Sequence, residues 1–345
     1  MQPKKTGPAD FTLPLAKGRP TRMLWLSDMQ IIDPEARRYP ERLSAGEIAA
    51  WAHGSEWRNY IYQIDRMMRQ ERPDFVIVTG DMTYGSFDDA GDTLRGFVRV
   101  MEGYGVPWLP VWGNHDNESA MGVSWQCAQL EGAAHCLFRR GEVTGNSNYT
   151  VALTADGVPV RMLYMLDSNG CAAATDPAVR KESGFAPDQM AWVAQTAARL
   201  PVPAFLAFHM PTEEYYAALT AAGYQPERDR GQEHYYAYTI GEDVDRRGAD
   251  CGRKDSYLKG VHPQPGFLEL CRRARVDGVF AAHTHRNNFS VLYEGIRWSL
   301  ANKCGLYDYH LHGQTGGTLV LLGEDGAFLS LRHLYVEEPV PQTRP

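Results

Sequence analysis

Apolar and polar positions along this chain fall into blocks that switch between two periods. Thr21 to Ser27 (TRMLWLS) is a short continuous apolar run, which predicts a buried strand, and it stops at Asp28. After a polar stretch containing Pro34, Pro40 and Gly46, Ser55 can cap a helix in which Trp57, Tyr60, Ile61, Ile64, Met67 and Met68 recur at helical spacing. Asp74 to Thr79 (DFVIVT) predicts a second buried strand, and a helix over Asp89 to Tyr104 leads to a third strand at Pro107 to Trp112. Strands at Asn148 to Leu153 and Val160 to Leu166 follow, then a helix at Pro187 to Leu200, a strand at Ala204 to Phe208 and a helix at Thr212 to Ala222. Residues 223–262 lose this order and are rich in Gly, Asp, Arg and Tyr, which predicts an insertion or lid. Helix Gly266 to Arg275 and strand Gly278 to Ala282 restore the alternation. Two period-two stretches, FSVLYEGIRWSLA and GTLVLLGEDGAFLSLRHL, then predict antiparallel strands.

Strands alternating with helices predict an α/β fold, in which ligands gather at the carboxyl ends of the strands. Those ends carry Asp28 and Gln30, then Asp81, Asn114 and His115, His209, and finally His283 and His285. Singly, each has an ordinary explanation, since an Asp after a strand caps a turn and a lone His is usually a satisfied polar residue. Five strand ends each delivering oxygen or imidazole donors, with almost no lysine, point instead to a centre for Fe, Mn or Zn.

Composition narrows the partners. Among 345 residues, 42 acidic against 35 basic side chains leave a net charge of −7, which argues against general nucleic-acid binding and favours a small-molecule or protein substrate. No run approaches the ~20 apolar residues of a membrane span. The first twenty residues are polar and carry no signal sequence, so the expectation is a cytoplasmic protein as written, an exported form with a trimmed signal staying compatible. Six cysteines, without a CxxC pair, predict free thiols; Cys127 and Cys136 are the nearest pair for a disulfide in an exported form.

The motifs SDMQ (27–30), GDMTYG (80–85), GNHD (113–116), FHMP (208–211) and AHTH (282–285) stand in the order found in calcineurin-like metallophosphoesterases, the group that includes purple acid phosphatases, and the chain resembles that family over about residues 20–335. LDSNG (166–170), APDQMAW, FHMP and GVFAAHTHRNNF look most like its branch of Dcr2-type and plant purple-acid-phosphatase-29-type enzymes. The resemblance implies a four-layer αββα sandwich with mixed sheets. It also implies two divalent or trivalent metal ions, one held by Asp28, Asp81 and His285, the other by Asp81, Asn114, His209 and His283. Asp81 would bridge them, which holds two cations about 3.5–4 Å apart and lets them share a nucleophilic water attacking phosphorus. His115 would assist as acid or transition-state stabiliser, with Asp116 either orienting its ring or capping the turn.

Two positions, Gln30 and Ala282, depart from the family pattern. Gln30 replaces the usual His and is expected near the first metal, as a ligand or beside it. Tyr84 matches the tyrosinate ligand of purple acid phosphatases or is a pocket aromatic, and Ala282 replaces the usual Gly. Candidate substrate contacts are Asn169 and, in the lid region, Arg228, Arg230 and His234 with Tyr235 and Tyr236; Trp51 and His53 lie in the first insertion, and Asn287, Asn288, Lys303 and His310 follow the last histidines. The layout expected is a polar leader at 1–20, one phosphoesterase domain at 21–335 with insertions at about 31–55 and 223–262, and a tail at 336–345. The activity expected is phosphomonoester hydrolysis. The alternatives are a phosphodiesterase acting on cyclic nucleotides or glycerophosphodiesters, and a non-catalytic scaffold of the same fold.

Overall fold

The short apolar runs pair into two mixed sheets. The computed structural model describes residues 7, 9–32, 57–170, 184–223, 238–241, 251–254, 258, 261–306, 310–311 and 313–336. One sheet has five strands in the order β14 (Phe328–Tyr335), β13 (Gly316–Leu322), β2 (Thr21–Leu26), β3 (Phe75–Thr79) and β4 (Trp108–Val111). The other has nine, in the order β1 (Phe11–Pro14), β5 (Tyr149–Ala155), β6 (Val158–Met165), β7 (Ala204–Ala207), β10 (Val276–Ala281), β12 (Ile296–Leu300), β11 (Asn287–Tyr293), β9 (Cys251–Lys254) and β8 (Tyr238–Gly241). The strands β2, β3 and β4 run parallel, as do β6, β7, β10 and β12, so the loops that follow them emerge along common edges.

Side-chain alternation shows how the layers stack. In β6, Leu163 and Met165 belong to the core shared with the five-stranded sheet, whereas Met162 and Tyr164 belong to a second core on the outer face. Residues Phe205 and Ala207 of β7 and Phe280 of β10 repeat the inward pattern, with Leu206 and Val279 outward. Both faces of a strand can be apolar only when both are covered. Trp25 meets Phe280 edge-on across the two sheets, ring centroids 5.1 Å apart, and its indole N–H donates to Thr79 Oγ1 at 2.7 Å, so a fully buried Trp keeps its polar handle satisfied.

Helices α1 (Trp57–Glu71), α2 (Asp92–Gly103) and α3 (Val123–Glu131) contribute to the core of the five-stranded sheet through Met67, Phe97 and Leu130. Helices α4 (Pro187–Arg199), α5 (Glu214–Ala221) and α6 (Phe267–Arg273) cover the outer face of the larger sheet with Val193, Tyr215 and Phe267. The protein is therefore a four-layer αββα sandwich. Each fully buried large apolar side chain stabilises it by about 1.5–3 kcal/mol relative to exposure.

Four elements escape the apolar pattern. The strand β1 lies in the segment read as a polar leader and pairs parallel to β5, and its alternation of buried and exposed positions is only four residues long. Within the segment read as an irregular lid, β8 and β9 pair with each other, and β9 with β11, adding two strands to the sheet edge through backbone hydrogen bonds that need no apolar code. Helix α3 has nine residues, too short a window for helical periodicity to stand out. Among the described cysteine side chains, Cys127, Cys136, Cys271 and Cys304 are buried free thiols.

Candidate metal centre

Residues from five strand ends, three in one sheet and two in the other, face each other across the sandwich. Asp28 and Gln30 follow β2, Asp81 follows β3, Asn114 and His115 follow β4, His209 follows β7, and His283 and His285 follow β10. The turns that aim them are tight: Asp28 (φ 55°), Gln30 (φ 48°), Asp81 (φ 51°) and His283 (φ 70°) adopt left-handed conformations that cost a side-chain-bearing residue free energy. Such strain concentrates at functional sites and persists where the surroundings over-determine it. The glycines of the GD and GN pairs allow the close approach. A Cβ on Gly113 would meet Asp81 Oδ1 at 2.2 Å, and one on Gly80 would meet Gly113 N at 2.6 Å.

Two donor groups result, Asp81 with His209 and His283, and Asp28 with Asp81 and His285, and within each the donor atoms lie within 4.8 Å of one another. Asp81 belongs to both. His209 Nδ1 donates to Thr79 O at 2.7 Å, so Nε2 faces Asn114 Oδ1 at 3.1 Å, His283 Nδ1 at 3.2 Å and Asp81 Oδ2 at 3.4 Å. A backbone acceptor that fixes the tautomer and leaves the other nitrogen pointing at lone pairs is the usual outer support of a metal-binding His. On the other side, the buried Asp28 Oδ1 lies 3.3 Å from His285 Nε2. Lone pairs crowded together in a buried site repel unless a cation sits among them, so these residues fit metal ions by their own chemistry.

The charges respond to this crowding. Burial opposes ionisation of Asp81, but the His209 and His115 imidazoles outweigh it and hold the carboxyl well below the usual carboxylate range. Burial, then the neighbouring His209 charge, pushes His283 down to about 3. A neutral imidazole is the form that ligates.

The carboxylate on the His115 imidazole is Glu118, and of the two roles open to Asp116 the structure shows the turn cap rather than the ring orienter. His115 Nδ1 lies 3.0 Å from Glu118 Oε2, to which Ser86 Oγ donates at 2.6 Å, and the Tyr84 ring stacks on the imidazole with centroids 3.9 Å apart. Asp116 instead joins two loops: Oδ1 accepts from Thr83 N at 2.9 Å and Oδ2 from Gly113 N at 2.8 Å. Its carboxyl is raised to about 7 by burial and the Asp81 charge. Glu118 was legible in principle, because His115 precedes the 3-10 turn Asp116–Glu118, where residues three apart lie on one face.

Asn169 also differs from its expected substrate contact. Its amide donates to Gly184 O at 2.8 Å and Gln189 Oε1 at 3.1 Å, and its backbone N–H donates to Asp167 Oδ1 at 2.8 Å, so the LDSNG turn serves to pin the start of α4. Asn169→Ala is expected to lower stability by about 1–3 kcal/mol, the cost of leaving buried partners unpaired, with KM unchanged; calorimetry beside steady-state kinetics checks both. Lys303 is buried beneath the site and donates to Asp28 O at 2.7 Å and Gln30 Oε1 at 2.9 Å. Gln30 Nε2 in turn donates to Asp81 Oδ2 at 3.2 Å. Asn288 Nδ2 donates to Asn302 Oδ1 at 2.5 Å, and both asparagines are buried. Arg228, Arg230, His234, Tyr235, Tyr236, Trp51 and His53 lie outside the described residues.

Comparison with known proteins agrees with this geometry. The calcineurin-like phosphoesterase family matches residues 21–287. "Probable inactive purple acid phosphatase 14" of Arabidopsis thaliana is 24% identical over 282 residues, covering 73% of this chain and 63% of that protein, so the chain spans less than two thirds of that relative's length. "Phosphatase DCR2" of Saccharomyces cerevisiae is 30% identical over 118 residues, 31% of this chain and 20% of that protein. Among solved structures, a dimetal phosphatase from Danio rerio aligns with a TM-score of 0.50 at 12% identity, covering 93% of this chain and 100% of that one, a likeness of fold. With the family match spanning most of the chain and the sandwich in place, this chain belongs to the calcineurin-like phosphoesterase family.

Proposed function

We propose that the protein is a metal-dependent hydrolase of phosphoric esters, acting on monoesters in preference to diesters, with a domain that takes in β1 and so spans about 11–335. The observation that carries this reading is the pair of donor groups sharing Asp81. Asp28, Asp81 and His285 would hold one cation, and Asp81, Asn114, His209 and His283 the other. Bound cations at such a centre supply Lewis acidity toward phosphoryl oxygens and lower the pKa of a coordinated water.

The chain's own residues then supply orientation and a proton. With Glu118 accepting from His115 Nδ1, Nε2 is the atom that delivers a proton to the departing ester oxygen. The stacked Tyr84 ring keeps the imidazole from rotating away. The lean toward monoesters follows the motif likeness to the Dcr2-type branch. Parallel assays with p-nitrophenyl phosphate and its bis ester test it: faster turnover of the monoester is expected, and hydrolysis of the diester alone would sink the choice.

Cation loading has a proton linkage of definite sign. Burial pulls the His209 imidazolium down, but the Asp81 and Asp28 carboxylates outweigh it and raise it to about 9. Below that pH a cation must displace the proton, so affinity rises with pH toward about 9 and flattens above it. Calorimetric titration at pH 7 in two buffers of different ionisation heat is expected to report proton release; identical heats would contradict it.

The word "inactive" in the plant relative's name sets a second reading, a scaffold of the same fold. What counts against it in this chain is the retained His115 with its Glu118 and Tyr84 supports. No hydrolysis of either ester at full occupancy with Mn, Zn or Fe would uphold the scaffold.

A further inference from the structure

The Gln30 amide is wedged between two groups whose hydrogen-bonding capacity is one-sided. Lys303 Nζ lies 2.9 Å from Oε1, and Asp81 Oδ2 lies 3.2 Å from Nε2. An ammonium only donates and a carboxylate only accepts, so the chemistry of the neighbours settles the amide orientation. The carbonyl faces Lys303, and the NH2 group faces Asp81. An amide NH2 has no lone pair to offer a cation.

Lys303 reaches the site from the loop after β12, and the same ammonium donates to Asp28 O at 2.7 Å. It is 1% exposed, so its charge is scarcely screened by solvent. A buried positive charge is thus joined to both left-handed residues at the β2 end of the centre, Asp28 and Gln30.

Resting on the metal-centre reading above, we propose that Gln30 is not a ligand and that the Gln30–Lys303 pair makes the cation position of Asp28, Asp81 and His285 select a divalent over a trivalent ion. Three protein donors remain there, carrying two negative charges. Repulsion by a nearby ammonium grows in proportion to the charge of the incoming ion, so a trivalent ion is penalised more than a divalent one. Lys303 therefore acts as a built-in positive charge that takes the place of part of the metal's own. Tyr84, the one phenol in the GDMTYG motif, has its ring flat against His115.

Competition between Zn2+ and Ga3+, a redox-inert trivalent probe, on the full chain tests this, read by native mass spectrometry, with Asp28→Asn marking the position. The wild type is expected to take two Zn2+ and to exclude Ga3+ from the Asp28 position, and its iron-loaded form to show no tyrosinate-to-iron absorption in the visible. Lys303→Met is expected to raise the Ga3+ to Zn2+ ratio there by about tenfold or more, whatever it does to overall affinity. Gln30→Met, which keeps the ammonium and removes the amide, is expected to leave Zn2+ affinity at that position within about threefold, as no ligand is lost. Equal uptake of Ga3+ by the wild type, an unchanged ratio in a folded Lys303→Met, or a tenfold loss of Zn2+ affinity in Gln30→Met overturns the inference while leaving the metal centre standing. Failure of the wild type to bind either ion overturns both readings.

Discussion

Asp81→Asn is expected to cost the protein both cations together and to lower kcat/KM for p-nitrophenyl phosphate by about three powers of ten. Its carboxylate is the member common to both donor groups, and it also accepts from His115 N at 2.9 Å and from the Gln30 amide. An amide in its place offers one neutral oxygen where two anionic ones stood, so neither group keeps its bridging charge. The Lewis-acid contribution lost is several kcal/mol of transition-state stabilisation, and each 1.36 kcal/mol is tenfold in rate. Elemental analysis of the purified variant beside its kinetics decides the matter. Retention of two cations per chain would show that Asp81 is not the bridge.

The second large effect separates chemistry from metal binding. His115→Ala is expected to reduce kcat by about 10²–10⁴-fold, the range for a positioned acid or base, with cation content unchanged because His115 belongs to neither donor group. Glu118→Gln is expected to cost about ten- to hundred-fold, since it keeps the shape of the partner but weakens its hold on the Nδ1 proton. Asp116→Asn, by contrast, alters the staple between the Thr83 and Gly113 loops and should be read first in thermal unfolding. An unchanged rate in a fully loaded His115→Ala would remove the imidazole from the reaction.

The donors themselves were readable from linear order, because each sits directly after a short apolar run and strand ends in an α/β fold point one way. GDMTYG and GNHD carried more than ligands. Their glycines mark where one strand end must pass within van der Waals distance of the next, as Gly113 does against Asp81. The partners of those donors were less readable. Glu118, Ser86 and Lys303 are ordinary polar residues in sequence, and nothing about Ser86 predicts that its hydroxyl meets a carboxylate 32 positions later. Asp116 and Asn169 show the converse, as residues in conspicuous motifs whose side chains are spent on backbone N–H and C=O groups of neighbouring loops.

Local pattern was enough for the alternation of strand and helix and for the identity of the donors, since period and residue chemistry are properties of short windows of chain. Which donors gather into one group, which acid holds His115, and which way Gln30 turns its amide were decided by contacts between residues up to 275 positions apart, Lys303 on Asp28 among them. A hydrogen bond has a direction and a length only once both partners are fixed in space, and here that required two sheets to close on a common core.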